Sequence, residues 1–360
     1  MKKIFALVLC LIMVLPLVSC GKAEYKLGMG VVVSTDSSKT GNAQVDATVA
    51  AVITDENGVI VACRIDVAQN KMNVAEGGVE LDAKNPTFKT KMELGTDYGM
   101  AGKVDNDFNG TMLEWYEQVH VFEKYVVGMT ADQVASMRTQ LVNGHWIATD
   151  KALLNAGCSM QITDFIDAVV KACDDVQGVT FKAKANKKMT LGVAANTFVD
   201  KDTKAATIDD AGNNVNGSVN MYTDFACAVV VKGKIVATLN DAIQPKIEID
   251  VDGNIVEAVY EGTKRERRND YKMAPAVNYG PEYDPNGDGK VLEWYLQSQA
   301  FSKHVIGMTA EEVAGMTTAE NTLGYQMSTD ESLLTAGCTI QIVDIKAVVA
   351  KAATNATSIK

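Results

Sequence analysis

Histidine is scarce in this 360-residue chain, with three, and so are proline, with six, and tryptophan, with three. No Cys-x-x-Cys pair occurs, and His120, His145 and His304 stand at no zinc-ligand spacing from a cysteine. A G-x-S-x-G nucleophile elbow, a P-loop and a dinucleotide glycine fingerprint are all missing. Neither a Ser/His/Asp order nor a Cys/His pairing recurs, so nucleophilic catalysis has no support. Positive charge is also short. Lys and Arg number 34 against 45 Asp and Glu, a net charge of −11. That balance argues against nucleic acid, whose phosphates need a basic surface, and against electrostatic attachment to anionic lipid.

The first twenty residues read as an export signal. Lys2 and Lys3 precede an apolar run from Ile4 to Val18, and Leu17-Val18-Ser19-Cys20 has the pattern of a bacterial lipobox. Cys20 is then the lipidated first residue of a mature chain on the extracytoplasmic face of the cell membrane. No later stretch reaches membrane-spanning length. Loss of Lys2 and Lys3 takes the charge to −13. Cys63, Cys158, Cys173, Cys227 and Cys338 remain once Cys10 and Cys20 are set aside; five is odd, so a complete disulfide set within one chain is excluded.

The strongest signal is self-similarity. Residues 112–137 and 291–316 match at 15 of 26 positions. The match extends upstream to Thr90-Lys91 with Thr263-Lys264 and to Leu27-Gly28 with Leu191-Gly192, and downstream to Ala156–Ile162 with Ala336–Ile342. Each copy has one domain's worth of chain. We therefore expect a signal peptide over 1–20, a first repeat over 21–180 and a second over 181–360, joined near the polar segment Asp174 to Lys188.

Within a copy, alternating β-rich runs flank a turn: Val45–Thr54 and Val59–Val67 around Asp55-Glu56-Asn57-Gly58, and Ala226–Val231 and Ile235–Leu239 around Lys232-Gly233-Lys234. Asp252-Gly253 predicts a further strand pair. Trp115, Val119, Phe122 and Val126 form one helical stripe, ended by Gly128. Thr130–Gln133 and Thr309–Glu312 are capping boxes. Closing helices are expected over Asp164–Ala172 and Asp344–Ala352. The fold class expected is α+β: two tandem homologous domains, each an antiparallel sheet with packed helices and a C-terminal turn-helix.

Ahead of each closing helix stands a glycine turn, Ala156-Gly157-Cys158-Ser159 and Ala336-Gly337-Cys338-Thr339. At a helix N-terminus such a turn offers free N–H groups to a phosphate, with a hydroxyl in reach. The structural alternative is a tight turn that only glycine permits, with the cysteines as small buried hydrophobes. The turn and its following helix, with the early Asp55-Glu-Asn-Gly-Val-Ile hairpin, resemble the FMN-binding domain family of extracellular electron-transfer lipoproteins. The resemblance covers most of each copy in layout. It implies FMN held at Gly157, Ser159, Gly337 and Thr339, with Thr339 the better acceptor for a phosphoester and Ser159 the second. The sequence departs from the family motif at Leu153 and Leu333, where an Asp is usual, and at Gln161 and Gln341.

Other constellations are weaker. Asp284, Asn286 and Asp288 begin like a calcium loop, as do Asp105, Asp107 and Asn109, but Tyr295 and Tyr116 replace the bidentate Glu. Lys264, Arg265, Arg267 and Arg268 read as a solvated helix face, or as a dock for a flavin phosphate or an anionic polymer. Trp115-Tyr116 and Trp294-Tyr295 read as core, or as a stack for an isoalloxazine ring. The function expected from the resemblance is a surface lipoprotein carrying electrons through FMN to an unidentified redox partner. The alternative is a non-catalytic binding or adhesion lipoprotein that has lost the cofactor, with calcium stabilising it. Either is an electron carrier or a binding protein rather than a catalyst with its own substrate.

Overall fold

The computed structural model describes residues 22–75, 78–101, 112–184, 188–273, 291–321 and 324–358. The signal segment with Cys20, and the acidic loops with Asp105, Asp284, Asn286 and Asp288, lie outside the described residues.

In the first repeat, four strands follow one another: β1 (Lys22–Ser34), β2 (Asn42–Asp55), β3 (Ile60–Ala75) and β4 (Gly78–Leu81). Then come helices α1 (Lys91–Leu94), α2 (Trp115–Val126) and α3 (Ala131–Ala135) and a small hairpin, β5 (Thr139–Val142) and β6 (His145–Ala148). Helices α4 (Lys151–Asn155) and α5 (Thr163–Cys173) lead to β7 (Val179–Lys184). β7 returns to pair with β1, giving the antiparallel order β4-β3-β2-β1-β7. The first unit therefore runs through Lys184, a few residues beyond the expected boundary, because its last strand belongs to its own sheet.

The second repeat has β8 (Met189–Val199), a short pair β9 (Thr207–Ile208) and β10 (Asn214–Val215), then β11 (Gly217–Val231), β12 (Lys234–Ile243), β13 (Lys246–Ile249) and β14 (Ile255–Val259). Helices α6 (Lys264–Arg267), α7 (Trp294–His304) and α8 (Ala310–Ala314), the pair β15 (Thr318–Glu320) and β16 (Gln326–Ser328), and helices α9 (Glu331–Thr335) and α10 (Val343–Thr354) precede β17 (Thr357–Ser358). β12 and β13 together take the place of the long β3. Pro245 interrupts them, since proline cannot donate to a ladder. The fold is α+β in both halves, with antiparallel sheets throughout.

The two sheets pack face to face. One apolar cluster joins Leu27, Val45 and Ile53 of the first sheet to Leu191, Phe225 and Ile247 of the second. On the outer face of the first sheet, Trp115, Phe122, Phe165 and Val169 form a helix–sheet core. Trp294, Phe301, Ile345 and Val349 do the same on the second. The result is four layers: helices, sheet, sheet, helices. Strands buried on both faces explain the near-continuous apolar runs of β2 and β11.

Glycine sets the spacing of the outer layers. A Cβ on Gly28 would lie 1.8 Å from the Ala172 carbonyl oxygen of α5, and one on Gly192 would lie 2.0 Å from that of Ala352 of α10. Contacts across the repeats are reciprocal, as a two-fold arrangement requires. Lys171 of α5 reaches Glu266 at 2.9 Å, and its counterpart Lys351 of α10 reaches Glu93 at 2.7 Å. Both lysines also donate to a carbonyl of the first strand of their own sheet, Val31 and Ala195.

Candidate functional site

The glycine turns are the sequence's most specific proposal, and their geometry is the same in both repeats. Each follows a one-turn helix. Gly157 N–H donates to Leu154 O at 2.9 Å and Cys158 N–H to Leu153 O at 3.2 Å; Gly337 and Cys338 bond to Leu334 and Leu333 at 2.8 and 3.2 Å. These two bonds are the Schellman closure of a helix C-terminus. Gly157 has φ 102° and Gly337 has φ 91°, the left-handed backbone that favours glycine. Leu153 and Leu333, where an acid was usual in the motif, are buried, as are Cys158 and Cys338. The turn thus closes α4 and α9; α5 and α10 begin only at Thr163 and Val343. The expected positive dipole end is a negative one here.

The next N–H groups are already taken. Gln118 of α2, fully buried, accepts from Ser159 N at 2.9 Å and Met160 N at 3.1 Å through Oε1, and its Nε2 donates to Leu113 O at 2.9 Å. Gln297 of α7 accepts from Thr339 N at 2.7 Å and donates to Leu292 O at 2.7 Å. The hydroxyls of Ser159 and Thr339 lie 3.5 and 3.3 Å from the same glutamine oxygens, on residues 1% and 4% exposed. Residues 157–160 and 337–339 therefore do not fit an FMN phosphate as they are folded: their N–H groups have protein partners and their hydroxyls face a glutamine. The ring-stacking role fits no better, because Trp115 and Trp294 are buried in the outer cores.

A second constellation was hidden in the basic cluster. Lys264 and Arg265 are not on a solvated face; they are 6% and 5% exposed and turn inward. Arg265 pairs with Asp175 at 3.0 Å, and Arg267 with Glu261 at 2.9 Å. Lys264 Nζ lies 4.8 Å from the ring centroids of Tyr222 and Tyr271 and 5.2 Å from that of Trp294, and donates to Tyr222 OH at 2.5 Å. Cation–π attraction substitutes for part of the lost hydration. Burial pushes the Asp224 carboxyl up, reinforced by Asp344, and pushes the Lys264 ammonium down. The first repeat keeps the motif in a more open form, with Lys91 Nζ 5.0 Å from Tyr98 and 5.7 Å from Trp115. By strand register, Asp46 and Thr48 stand there where Tyr222 and Asp224 stand in the second repeat.

Beside this cage the second repeat has two polar hollows. One, of 530 Å³, is lined by Asp200, Asp202, Lys204, Asn220, Tyr222 and Gln244. The other, of 350 Å³, includes Lys264, Tyr271, Glu257 and Glu261. They share Gln244 and Lys246. Mixed charge, amides and a tyrosine edge suit a polar ligand held by hydrogen bonds. No signal in the sequence marked this trough, because its residues come from β11, the β12–β13 break and the segment after β8. Among the described residues no group of three or more His, Cys, Asp or Glu is placed to hold a metal ion, and no helix is long and apolar enough to cross a membrane. No protein-family model, curated protein or solved structure matches the chain.

Proposed function

We propose that this chain is a lipid-anchored extracytoplasmic binding protein, built from two FMN-binding-like domains whose glycine turns serve as structural joints. Gln118 and Gln297 carry this reading: each fills, with its side-chain amide, the place where a flavin phosphate would need free N–H groups. The polar trough beside Lys264 is the surface offered to a ligand. Lipidation at Cys20 supplies the membrane attachment.

The test is direct. Purified mature protein is expected to be colourless, and added FMN to keep the fluorescence of the free flavin. A yellow protein, or a covalent FMN mass lost in Thr339→Ala, would overturn the binding reading and support extracellular electron transfer. Calcium at Asp284, Asn286 and Asp288 is a separate proposal. A cation bound only by the native state raises the melting temperature, so a chelator should lower it if that loop is occupied.

A further inference from the structure

The chain is acidic overall, yet the corner where its fold begins is basic. Lys22 opens β1 and stands directly across from Lys184 of β7, with Glu24 across from Lys182. All three lysines are exposed, and Lys188, four residues beyond Lys184, is exposed too. Of the acids nearby, Glu24 meets Lys182 at 3.4 Å, while Asp55, across from Tyr25, accepts from Asn57 and Val59 N–H at 2.9 Å and exposed Glu56 follows it on the same turn, so the four lysines outnumber three acids. Like charges directly opposite each other on antiparallel strands destabilise a sheet unless a counter-charge is present. Among the described residues, Lys22 and Lys184 form no ion pair with an acid.

We propose that this corner rests on the bilayer, with Lys22, Lys182 and Lys184 against the phosphates of anionic lipid headgroups. The inference rests on lipidation of Cys20. That residue lies two positions before Lys22, and two residues of chain span at most about 7 Å. A tether so short holds the corner at headgroup depth and presents the lysines to lipid at high effective concentration. The net negative charge of the whole chain does not oppose this, since surface charges more than a Debye length away are largely screened. A soluble anionic polymer would need no such tether.

The experiment uses the mature lipidated protein in vesicles of phosphatidylcholine alone and of phosphatidylcholine with phosphatidylglycerol. Intact mass first establishes the diacylglyceryl group on Cys20. Lysine acylation by a water-soluble reagent is then followed peptide by peptide. Lys22, Lys182 and Lys184 should react about fivefold slower on the anionic vesicles than on the neutral ones, while exposed Lys201, beyond the far end of β8, keeps one rate on both. Equal rates for the three lysines on both vesicles overturn the proposal and leave the anchor standing. A chain without lipid mass removes the anchor and the proposal together.

Discussion

Gln118 and Gln297 show how one side chain can decide what a turn is for. Each is fully buried and binds two chain segments: the backbone after the Schellman glycine and the carbonyl just before its own helix. Replacing Gln118 with Leu keeps the volume but leaves the N–H groups of Ser159 and Met160 buried without an acceptor. Unsatisfied buried groups cost about 1–3 kcal/mol each, so Gln118→Leu should lose on the order of 2–5 kcal/mol, read from the chemical denaturation midpoint. Gly192, like its counterpart Gly28, sits where a side chain has no room. With a Cβ only 2.0 Å from the Ala352 carbonyl oxygen, Gly192→Ala must push α10 off its sheet. Overpacking of a rigid contact costs about 1–3 kcal/mol or more, and melting of purified Gly192→Ala should show at least that loss.

At the scale of elements, the capping boxes and hairpins were legible because each has a local chemical signature. Thr130 and Thr309 cap α3 and α8 as expected, and the Asp252-Gly253 turn does join two strands, β13 and β14. The one-turn helices α4 and α9, which have no capping box, were not legible, since five residues carry no periodicity. That is why the glycine turn read as the start of the closing helix rather than the end of α4. Two other short helices, α1 and α6, are seated on buried carboxylates: Asp66 accepts from Met92 N at 3.2 Å and Asp241 from Arg265 N at 3.0 Å. Burial pushes both carboxyls up to about 6. The folded state therefore binds more protons than the unfolded chain between the ordinary carboxylate pKa of about 4 and a pH of about 6. The stability these groups add is complete below that window and falls as pH rises through it. A melting temperature that declines between those pH values is expected, and Asp66→Asn, which keeps the acceptor oxygen without the charge, should flatten part of the decline.

At the scale of the whole molecule, the duplication was plain in the sequence, but the way the copies meet was not. The alternation expected over Val45–Thr54 and Ala226–Val231 gives way to near-continuous burial, because alanines and valines fill both faces of β2 and β11, so nothing in the pattern said whether the inner face met solvent, helices or another sheet. The structure places the two inner faces against each other in one apolar core. Of the ion pairs across the repeats, Lys171–Glu266, 47% and 43% exposed, is too open to contribute much, whereas Arg265–Asp175, at 3.0 Å with side chains 5% and 9% exposed, is buried at the seam beside that core. If the shared core holds them, neither repeat can unfold without exposing the other's apolar sheet face to water. The chain should then melt as one cooperative unit despite its two repeats. Calorimetry of the intact mature protein should give a single transition with equal calorimetric and van't Hoff enthalpies. Leu27→Ala, which hollows the core from the first sheet only, should shift that whole transition down by an amount matching about 2–5 kcal/mol. Two resolved peaks, with only the earlier one moved by the substitution, would mean that each repeat stands on its own helix–sheet core and that the face between them is a contact rather than a common interior.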